Sequence, residues 1–450
     1  MSTPTPRLTR TLTLGPVVLF GLAYMAPMIV LGTFGPTDEA SGRAVPTAYA
    51  LALIAMLFTA VSYGRMARAY PVAGSAYTYT RKTIDGRVGF LVGWAVLLDY
   101  FFLPMVIWLI GATFLNQQFP EVPNWAWIIV FVVITTVVNV IGIKLAANAN
   151  LLLTGLQILV LIFFVILSLR HAGSTTGSIF SSSPFHNSAT TVGAVAAGAA
   201  LACYSFLGFD AITTLTEETK EPKRNIPRAI VLVTIIGGVI FLVTSYSAQL
   251  IGLALPHLNY DTEAFDIAKV IGGNLFSAFF LAGLVITQLA SGIAAQASAA
   301  RLLFAMGRDS VLPKKVFGYL HPKFHTPVIN IVAIGVVGLI GIVNSVSNAV
   351  SFINFGAFTA FTFVNLCVFA MAIRQRRFRT PGQILGNAVA PLIGAGFDVW
   401  LLTQLDWHAH LLGVIWLGLG ILYLIVLTRG FRRTPPEVDF SEDSELAPTT

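Results

Sequence analysis

Charged residues are scarce in this chain. Asp, Glu, Lys and Arg make up 10% of its 450 residues, whereas they make up about a quarter of an ordinary soluble domain. Hydrophobic residues make up 56%, and the mean hydropathy is +0.80. This composition excludes a soluble globular or disordered chain and predicts an integral membrane protein.

The signatures of several enzyme and nucleic-acid-binding classes are also missing. Both cysteines, Cys203 and Cys367, lie inside apolar runs, so no disulfide framework is implied. The seven histidines lie in loops or at the ends of apolar runs, and the sequence has no HExxH motif, CxxC pair or nucleophile elbow. It has no glycine-rich phosphate loop and no basic domain either. We therefore expect a protein that is not an enzyme and that uses no metal, cofactor, ATP or nucleic acid.

What the chain does contain is a recurring run of about 20 apolar residues, the length of a helix that crosses a membrane. The first run follows two arginines but lacks a small-residue cleavage site, so we interpret it as a retained span. An even number of spans would put both termini on one side. Twelve runs are bounded by charges, proline or glycine, at roughly residues 14–36, 46–68, 88–117, 124–144, 147–169, 189–216, 228–253, 274–304, 327–346, 348–373, 383–404 and 408–428.

The cationic residues are distributed very unevenly over this topology. Of the 27 Lys and Arg residues, 24 fall in the termini and the even-numbered connections. The odd-numbered connections contain only Arg43, Arg170 and Lys269. This asymmetry predicts that both termini and the even-numbered connections are cytoplasmic.

Two of the spans contain residues that interrupt a helix. Span 1 reads GLAYMAPMIVLGTFGP, with Pro27 in mid-membrane and Gly32 and Gly35 after it, and span 6 reads SFLGFDAITT, with Gly208. Proline removes a backbone donor, and glycine lets the chain leave helical geometry. Non-helical backbone at membrane depth is tolerated where it lines an enclosed cavity. The alternative is that Pro27 only kinks span 1 and Gly208 only permits close packing.

The two interrupted spans occupy matching places if the chain is an internal repeat. Repeat one would cover about residues 14–169, repeat two about 189–373, and two accessory helices about 383–428. The whole is predicted to be one transmembrane transporter domain over residues 1–430, followed by an acidic, disordered cytoplasmic tail over 431–450. Interrupted helices at matching places of inverted repeats predict a substrate site near the membrane midplane.

Three separated motifs resemble a known family. They are PVAGSAYTYTRK after span 2, FLGFDAITTLTEETKEPKRNIPRAI through span 6, and ARLLFAMGRDSVLPKKV at the end of span 8. They resemble the amino acid–polyamine–organocation (APC) superfamily of transporters, and LVGWAVLLDYFFLPM and VFGYLHPKFHTP are most similar to the bacterial putrescine importers. The resemblance implies a five-plus-five inverted repeat with broken helices 1 and 6, the LeuT-like fold. It also implies a multi-pass protein of a bacterial-type plasma (inner) membrane.

Two acids inside spans are candidates for substrate binding, because an ionisable group costs about 2.5–3.5 kcal/mol at the centre of a spanning helix. Asp210 follows the proposed break in span 6, where it can also act as a helix N-cap. Asp99 lies near the middle of span 3, where it can instead pair with a polar neighbour. The family places an aromatic over the substrate at the position of Tyr204, which is also an ordinary packing residue. The full set of substrate-binding candidates is Ala26, Pro27, Met28, Asp99, Tyr100, Tyr204, Gly208 and Asp210.

The coupling ion, H⁺ or Na⁺, is left open by the sequence. Proton-coupled amino acid members of the family can carry a lysine in span 5, and its counterpart here is Gln157, which has no charge. Either an ion lies between carbonyls of span 1 and Ser291 of span 8, or a proton binds an acid such as Asp210. Glu217 and Glu218 end span 6 beside basic residues and predict a loop salt-bridge network or gate.

The substrate expected from these features is a small organic amine, putrescine or a related polyamine, imported by a secondary active transporter driven by an ion gradient. Pro27 has no amide with which to hold the carboxylate of an amino acid. Gly32 stands where the putrescine importers carry an acid, which weakens the case for a diamine. An amino acid permease is the first alternative. A membrane-embedded enzyme is a remote one, because Asp99 and Asp210 are its only candidate pair of acids. The expected partners are the small molecule and the lipid bilayer, with no obligatory protein partner.

Overall fold

The computed structural model describes residues 10–71, 75–142, 147–216, 218–255 and 259–436, and the structural statements below concern these residues. In chain order the α-helices are α1 (Leu14–Met25), α2 (Ile29–Gly32), α3 (Phe34–Ser41), α4 (Val45–Ala69), α5 (Ser75–Thr83), α6 (Gly86–Gln118), α7 (Asn124–Ile141), α8 (Ala147–Thr176), α9 (Val192–Ala202), α10 (Pro222–Gly252), α11 (Glu263–Arg308), α12 (Lys314–Phe317), α13 (Val328–Gly338), α14 (Val346–Arg374), α15 (Pro381–Ile384), α16 (Ala390–Thr403) and α17 (Trp407–Leu427).

Membrane-length helices dominate the fold. Eleven helical segments in the described part of the chain are long and apolar enough to cross a membrane. A shorter apolar segment, Val328–Val343, lies where the ninth span is predicted. The prediction of an all-α membrane protein is therefore confirmed, while the count of twelve spans and the inverted repeat stay predictions.

The eighth predicted span, 274–304, is part of a longer and kinked helix. α11 starts at Glu263 and continues to Arg308, and Gly273 breaks its geometry with a φ of 65°. Glu263 and Asp266 lie in its first turn, where carboxylates are favoured by the helix dipole. An apolar run could not predict this segment, because the helix extends beyond the apolar residues.

Small residues bring the second and seventh spans into close contact. A Cβ atom added at Gly238 of α10 would lie 2.4 Å from Cδ1 of Leu53 on α4. A Cβ at Gly64 of α4 would lie 3.3 Å from Cα of Pro227 on α10. In a membrane, where apolar side chains gain little by leaving lipid, such close backbone approach is a main source of helix association. α4 and α10 therefore form a firm support for the interrupted helices beside them.

Both predicted interruptions are present. α1 ends at Met25, Ala26 has a φ of 48°, and the backbone resumes as α2 at Ile29. The second interruption begins after α9, where a 3₁₀-helix covers Cys203–Phe206 and Gly208 has a φ of 117°. An N-cap at Asp210 would begin an α-helix, but the segment that follows, Ala211–Thr216, is a 3₁₀-helix. The hydroxyls of Thr213 and Thr216 donate to carbonyls three residues earlier. Such bonds favour the tighter turn over the α-helix.

The two interrupted helices are also joined at their ends by backbone hydrogen bonds. The amide of Leu12 donates to the carbonyl of Glu218 at 3.0 Å, and the amide of Lys220 donates to the carbonyl of Leu12 at 2.8 Å. These bonds form a parallel β-bridge between Leu12 and Thr219. We call this contact the Leu12–Thr219 bridge.

The start of the predicted tail packs against the helical domain. The carbonyl of Pro435 accepts a hydrogen bond from Arg81 at 3.3 Å, and that of Phe431 accepts one from Arg87 at 2.7 Å. Residues 437–450, the remainder of the predicted tail, lie outside the described residues.

The charge asymmetry can be tested by labelling two introduced cysteines. Ser182 is exposed in the connection between α8 and α9, predicted to be external, and Thr434 is exposed near the C-terminus, predicted to be cytoplasmic. Both native cysteines are buried, so background labelling should be low. We expect a membrane-impermeant maleimide to label Ser182→Cys in intact cells and Thr434→Cys only after permeabilisation. Labelling of both variants in intact cells would contradict the topology.

Candidate functional site

A cavity of about 140 Å³ lies where the two interruptions meet. Its walls come from α1, α6, α8, α11 and the segment around Gly208. Predicted residues from both interruptions, from the two intramembrane acids and from the coupling-ion candidates therefore line one cavity. Those that line it are Ala26, Asp99, Tyr100, Gln157, Tyr204, Gly208, Asp210 and Ser291.

Gly208 is the point of contact between the two interruptions. A Cβ atom there would lie 2.6 Å from Cδ1 of Tyr24 and 3.3 Å from the amide nitrogen of Met25. Its φ of 117° is also strained for any residue with a side chain. Glycine is thus required at this position both by the backbone conformation and by the close approach of α1.

Asp210 follows this contact and faces the cavity. Its carboxylate lies against the backbone amides of Gly208 and Ala211, and its carbonyl accepts hydrogen bonds from the amide and hydroxyl of Thr213 at 3.0 and 2.7 Å. Asp210 therefore faces the cavity as expected, while its role as a helix N-cap stays a prediction, because the amide of Thr213 donates to its backbone carbonyl.

Asp99 approaches the same volume from α6. Its Oδ1 atom is buried and has no hydrogen-bond partner among the described residues. Asp99 and Asp210 both line this cavity, and they are close enough for their charges to interact. Two carboxylates in one desolvated space repel each other, so a cation or a proton in the cavity would stabilise the arrangement.

A second cavity of about 260 Å³ adjoins the first. The two share Asp99, Tyr100, Leu207 and Asp210 as common lining residues. The second cavity extends to α5 and to Val311 in the connection after α11, which is the predicted cytoplasmic side. Its wall is rich in aromatic rings, contributed by Tyr63, Tyr77, Phe90, Trp94, Tyr100 and Phe361.

Trp94 is held firmly in this wall. Its ring stacks on that of Trp416 with centroids 5.0 Å apart. Each indole nitrogen donates to the carbonyl of the other residue, at 2.9 and 2.7 Å. These contacts couple α6 to α17 and fix the aromatic face beside Asp99.

The charge of the two cavities is one-sided. Within the described ranges, neither cavity is lined by Lys, Arg or His. Among the described residues of their walls, the only carboxyl groups are those of Asp99 and Asp210. The site therefore favours a positively charged ligand over an anionic one.

The amides of the first interruption are already engaged. Ala26 donates to the carbonyl of Ala23 at 3.2 Å, and Ile29 donates to that of Ala26 at 2.8 Å. The amide of Met28 donates to Oε1 of Gln157 at 3.3 Å. Pro27 has no amide, and Pro27 and Met28 are buried behind the cavity wall that Ala26 lines. Gln157 thus supports the broken backbone, a role that its uncharged side chain can perform.

The predicted gate residues lie apart from the cavities. Glu218 takes part in the Leu12–Thr219 bridge through its carbonyl and lines neither cavity. Glu217 lies outside the described residues.

Several polar residues of the cavity were not predicted. Thr287, Gln288 and Ser298 of α11 line it together with Ser291. Thr287, Ser291 and Ser298 recur at spacings of four and seven residues, which place them on one helix face. This stripe of polar residues in an apolar span is the sequence pattern that could have predicted them as cavity residues.

A third intramembrane acid, Asp398, was also missed. It is fully buried on α16 and accepts hydrogen bonds from Thr59 of α4 at 3.1 Å and from Asn365 of α14 at 2.9 Å. These partners make it a polar tie between an accessory span and the core helices.

A second pair of acids lies outside the predicted spans, in which Asp99 and Asp210 are the candidate pair. Asp38 on α3 and Glu263 on α11 are both fully buried and in contact. Burial raises the pKa of Asp38, and the guanidinium group of Arg43, 3.6 Å from the Asp38 carboxylate, opposes that rise. The pair was missed because Asp38 and Glu263 lie outside the apolar runs.

Comparison with known proteins identifies the family. The model of the amino acid permease family matches residues 17–393. The chain belongs to the amino acid permease family. This membership agrees with the resemblance to the APC superfamily drawn from the three motifs.

Relatives of this amino acid permease carry different substrates in their names. The low-affinity putrescine importer PlaP of Escherichia coli (strain K12) is 41% identical over 439 residues, covering 96% of each chain. The methylthioribose transporter of Bacillus subtilis (strain 168) is 26% identical, covering 94% of each chain. The branched-chain amino acid permease BcaP of the same organism is 24% identical, covering 91% of this chain and 92% of its own.

The contact at Gly208 predicts a strong effect of a single methyl group. Gly208→Ala should destabilise the protein by about 1–3 kcal/mol, because it forces a strained φ and a clash with α1. The matched control is Gly193→Ala in α9, where nothing lies within 4 Å of the added Cβ and alanine favours the helix. Thermal unfolding in detergent should show a lower melting temperature for Gly208→Ala alone. Equal melting temperatures for the two variants would contradict this account.

Proposed function

We propose that this amino acid permease imports a small organic amine, putrescine or a related polyamine, by secondary active transport driven by an ion gradient. The observation that carries the proposal is the pair of carboxylates, Asp99 and Asp210, in a cavity without a basic side chain among its described lining residues. A diamine with two ammonium groups would neutralise both. The 41% identity to a putrescine importer supports the same substrate class.

The cavity walls suit both parts of such a ligand. One ammonium group would bind each carboxylate through charge-assisted hydrogen bonds. Tyr100 and Tyr204 offer aromatic faces that attract a cation. The methylene chain would pack against apolar residues such as Leu207 and Leu103.

An amino acid substrate is the alternative, and the family and the branched-chain permease keep it open. An amino acid needs a partner for its carboxylate as well as for its amine. The engaged amides of the first interruption and the missing amide of Pro27 offer none there. The same observations favour an amine, which needs only acceptors and aromatic faces.

Ion coupling and architecture complete the proposal. Repulsion between Asp99 and Asp210 would be relieved by a proton or a cation when the amine has left, and this links ligand binding to an ion gradient. Asp210 is the preferred proton acceptor, with Gln157 and Ser291 as the alternative surroundings of Na⁺.

We further propose that the chain has the five-plus-five inverted repeat and that both termini are cytoplasmic. The substrate would be released through the aromatic second cavity.

Uptake into proteoliposomes tests the function directly. Labelled putrescine, spermidine and a panel of amino acids would be compared under separate proton and sodium gradients. The proposal requires that an amine be concentrated under one of the gradients. Concentration of amino acids alone would establish the alternative.

Asp210→Asn should abolish most concentrative amine uptake without loss of protein. Asparagine keeps the size and capping ability of aspartate but removes its charge. Loss of a charge-assisted contact of about 1.5–3 kcal/mol would weaken binding roughly ten- to a hundredfold. Asp406→Asn is the matched control, because Asp406 caps α17 through the amide of His408 at 2.8 Å and lines neither cavity. Equal uptake by the two variants at equal protein level would exclude a transport role for the Asp210 charge.

Asp99→Asn should reduce the preference for a diamine over a monoamine. If each carboxylate binds one ammonium group, the single ammonium group of butylamine can still bind Asp210, so neutralising Asp99 lowers the affinity for butylamine little. Putrescine loses the contact of its second ammonium group, so its affinity falls. The measurement is the concentration of each amine that halves uptake of labelled putrescine. We expect the ratio between the two concentrations to shrink by roughly tenfold. An unchanged ratio would mean that Asp99 binds neither end of the diamine.

A further inference from the structure

A groove on the outer surface of the bundle lies between α4 and α10, away from the two cavities. Its volume is about 520 Å³. It lies at the ends of both helices that the charge asymmetry predicts to be cytoplasmic. Three arginines line it, Arg65 and Arg68 from α4 and Arg228 from α10. The groove is therefore a concentrated positive charge at the predicted level of the inner lipid headgroups.

These arginines have little to neutralise them. Arg65 donates one hydrogen bond to Oδ1 of Asn387 at 3.1 Å, which orients its guanidinium group. Arg68 and Arg228 are exposed, and Arg65 and Arg68 are close enough to repel each other. Across the described residues, none of the three forms a salt bridge. An anion between them would relieve this repulsion, and one guanidinium group can donate two parallel hydrogen bonds to two oxygens of a phosphate.

The rest of the groove is apolar. Val61, Val231 and Leu232 continue its wall towards the membrane interior, and Val61 and Leu232 are 36% and 38% exposed. The faces of α4 and α10 beyond them stay apolar and exposed at Ile54 and Ile235. A free phosphate ion would leave this wall unused. A ligand with a phosphate at one end and an acyl chain at the other would contact both parts.

We propose that this groove binds the phosphate headgroup of an anionic phospholipid of the inner leaflet, with Arg65, Arg68 and Arg228 around the phosphate and an acyl chain along α4 and α10. Basic pockets between spanning helices on the cytoplasmic side are suited to such lipids. The lipid would join two helices that already meet at Gly64 and Pro227. Its binding is independent of which substrate the protein transports.

Lipid binding can be measured by native mass spectrometry of the purified full-length protein. The probes are phosphatidylglycerol and phosphatidylcholine with identical acyl chains, and inorganic phosphate as a competitor. The test variant carries Arg65→Gln, Arg68→Gln and Arg228→Gln. The control variant carries Arg376→Gln, Arg377→Gln and Arg379→Gln, which remove the same charge from exposed positions between α14 and α15.

We expect wild type and control to bind phosphatidylglycerol more tightly than phosphatidylcholine, and the test variant to lose roughly a hundredfold in phosphatidylglycerol affinity. If the triple variant does not fold, Arg228→Gln alone replaces it, with an expected loss of about fivefold. A loss no larger than that of the control would overturn the proposal. Displacement of phosphatidylglycerol by millimolar inorganic phosphate would overturn the lipid assignment and leave a free-anion site.

Discussion

The contact between Gly208 and the backbone of α1 determines the geometry of the whole site. The two segments approach so closely that a Cβ atom added at Gly208 would lie only 3.3 Å from the amide nitrogen of Met25. Asp210 follows two residues later, and its carboxylate lies against the amides of Gly208 and Ala211. Because the two interruptions meet at this contact, residues from each reach one small volume. A continuous helix at either place would fill that volume with its own backbone.

The second interruption is supported from behind by packed aromatic rings and polar ties. Tyr63 makes edge contacts with Phe209 and Phe361, at centroid distances of 5.5 and 5.7 Å. Such pairs contribute about 0.5–1.5 kcal/mol each beyond their buried area. On the other side of the break, the Tyr49 hydroxyl lies 2.9 Å from the Ser205 hydroxyl, and Asn354 donates to the carbonyl of Ala200 at 2.7 Å. These contacts hold a segment that has few α-helical hydrogen bonds of its own.

Local chemistry explains which features could be predicted from sequence. Pro27 and Gly208 act on their own backbone, so the two interruptions could be placed before any tertiary contact was known. Asp99 and Asp210 are conspicuous because the residues around them are apolar. The hydrogen bond from Met28 to Gln157 joins residues 129 positions apart, and that from Thr59 to Asp398 joins residues 339 apart. No local pattern encodes such pairs. The 3₁₀ geometry of Ala211–Thr216 depends in the same way on the packing around it.

The Leu12–Thr219 bridge limits how the parts of this molecule can move. It connects the chain before α1 to the chain after the 3₁₀-helix Ala211–Thr216 through two backbone hydrogen bonds. Moving one of these segments without the other would break both bonds, each of which contributes about 0.5–1.5 kcal/mol. The chain before α1 and the chain after the 3₁₀-helix are therefore coupled to each other. In the proposed transport cycle the two segments would move together, so that the proposed release path through the second cavity opens in one step.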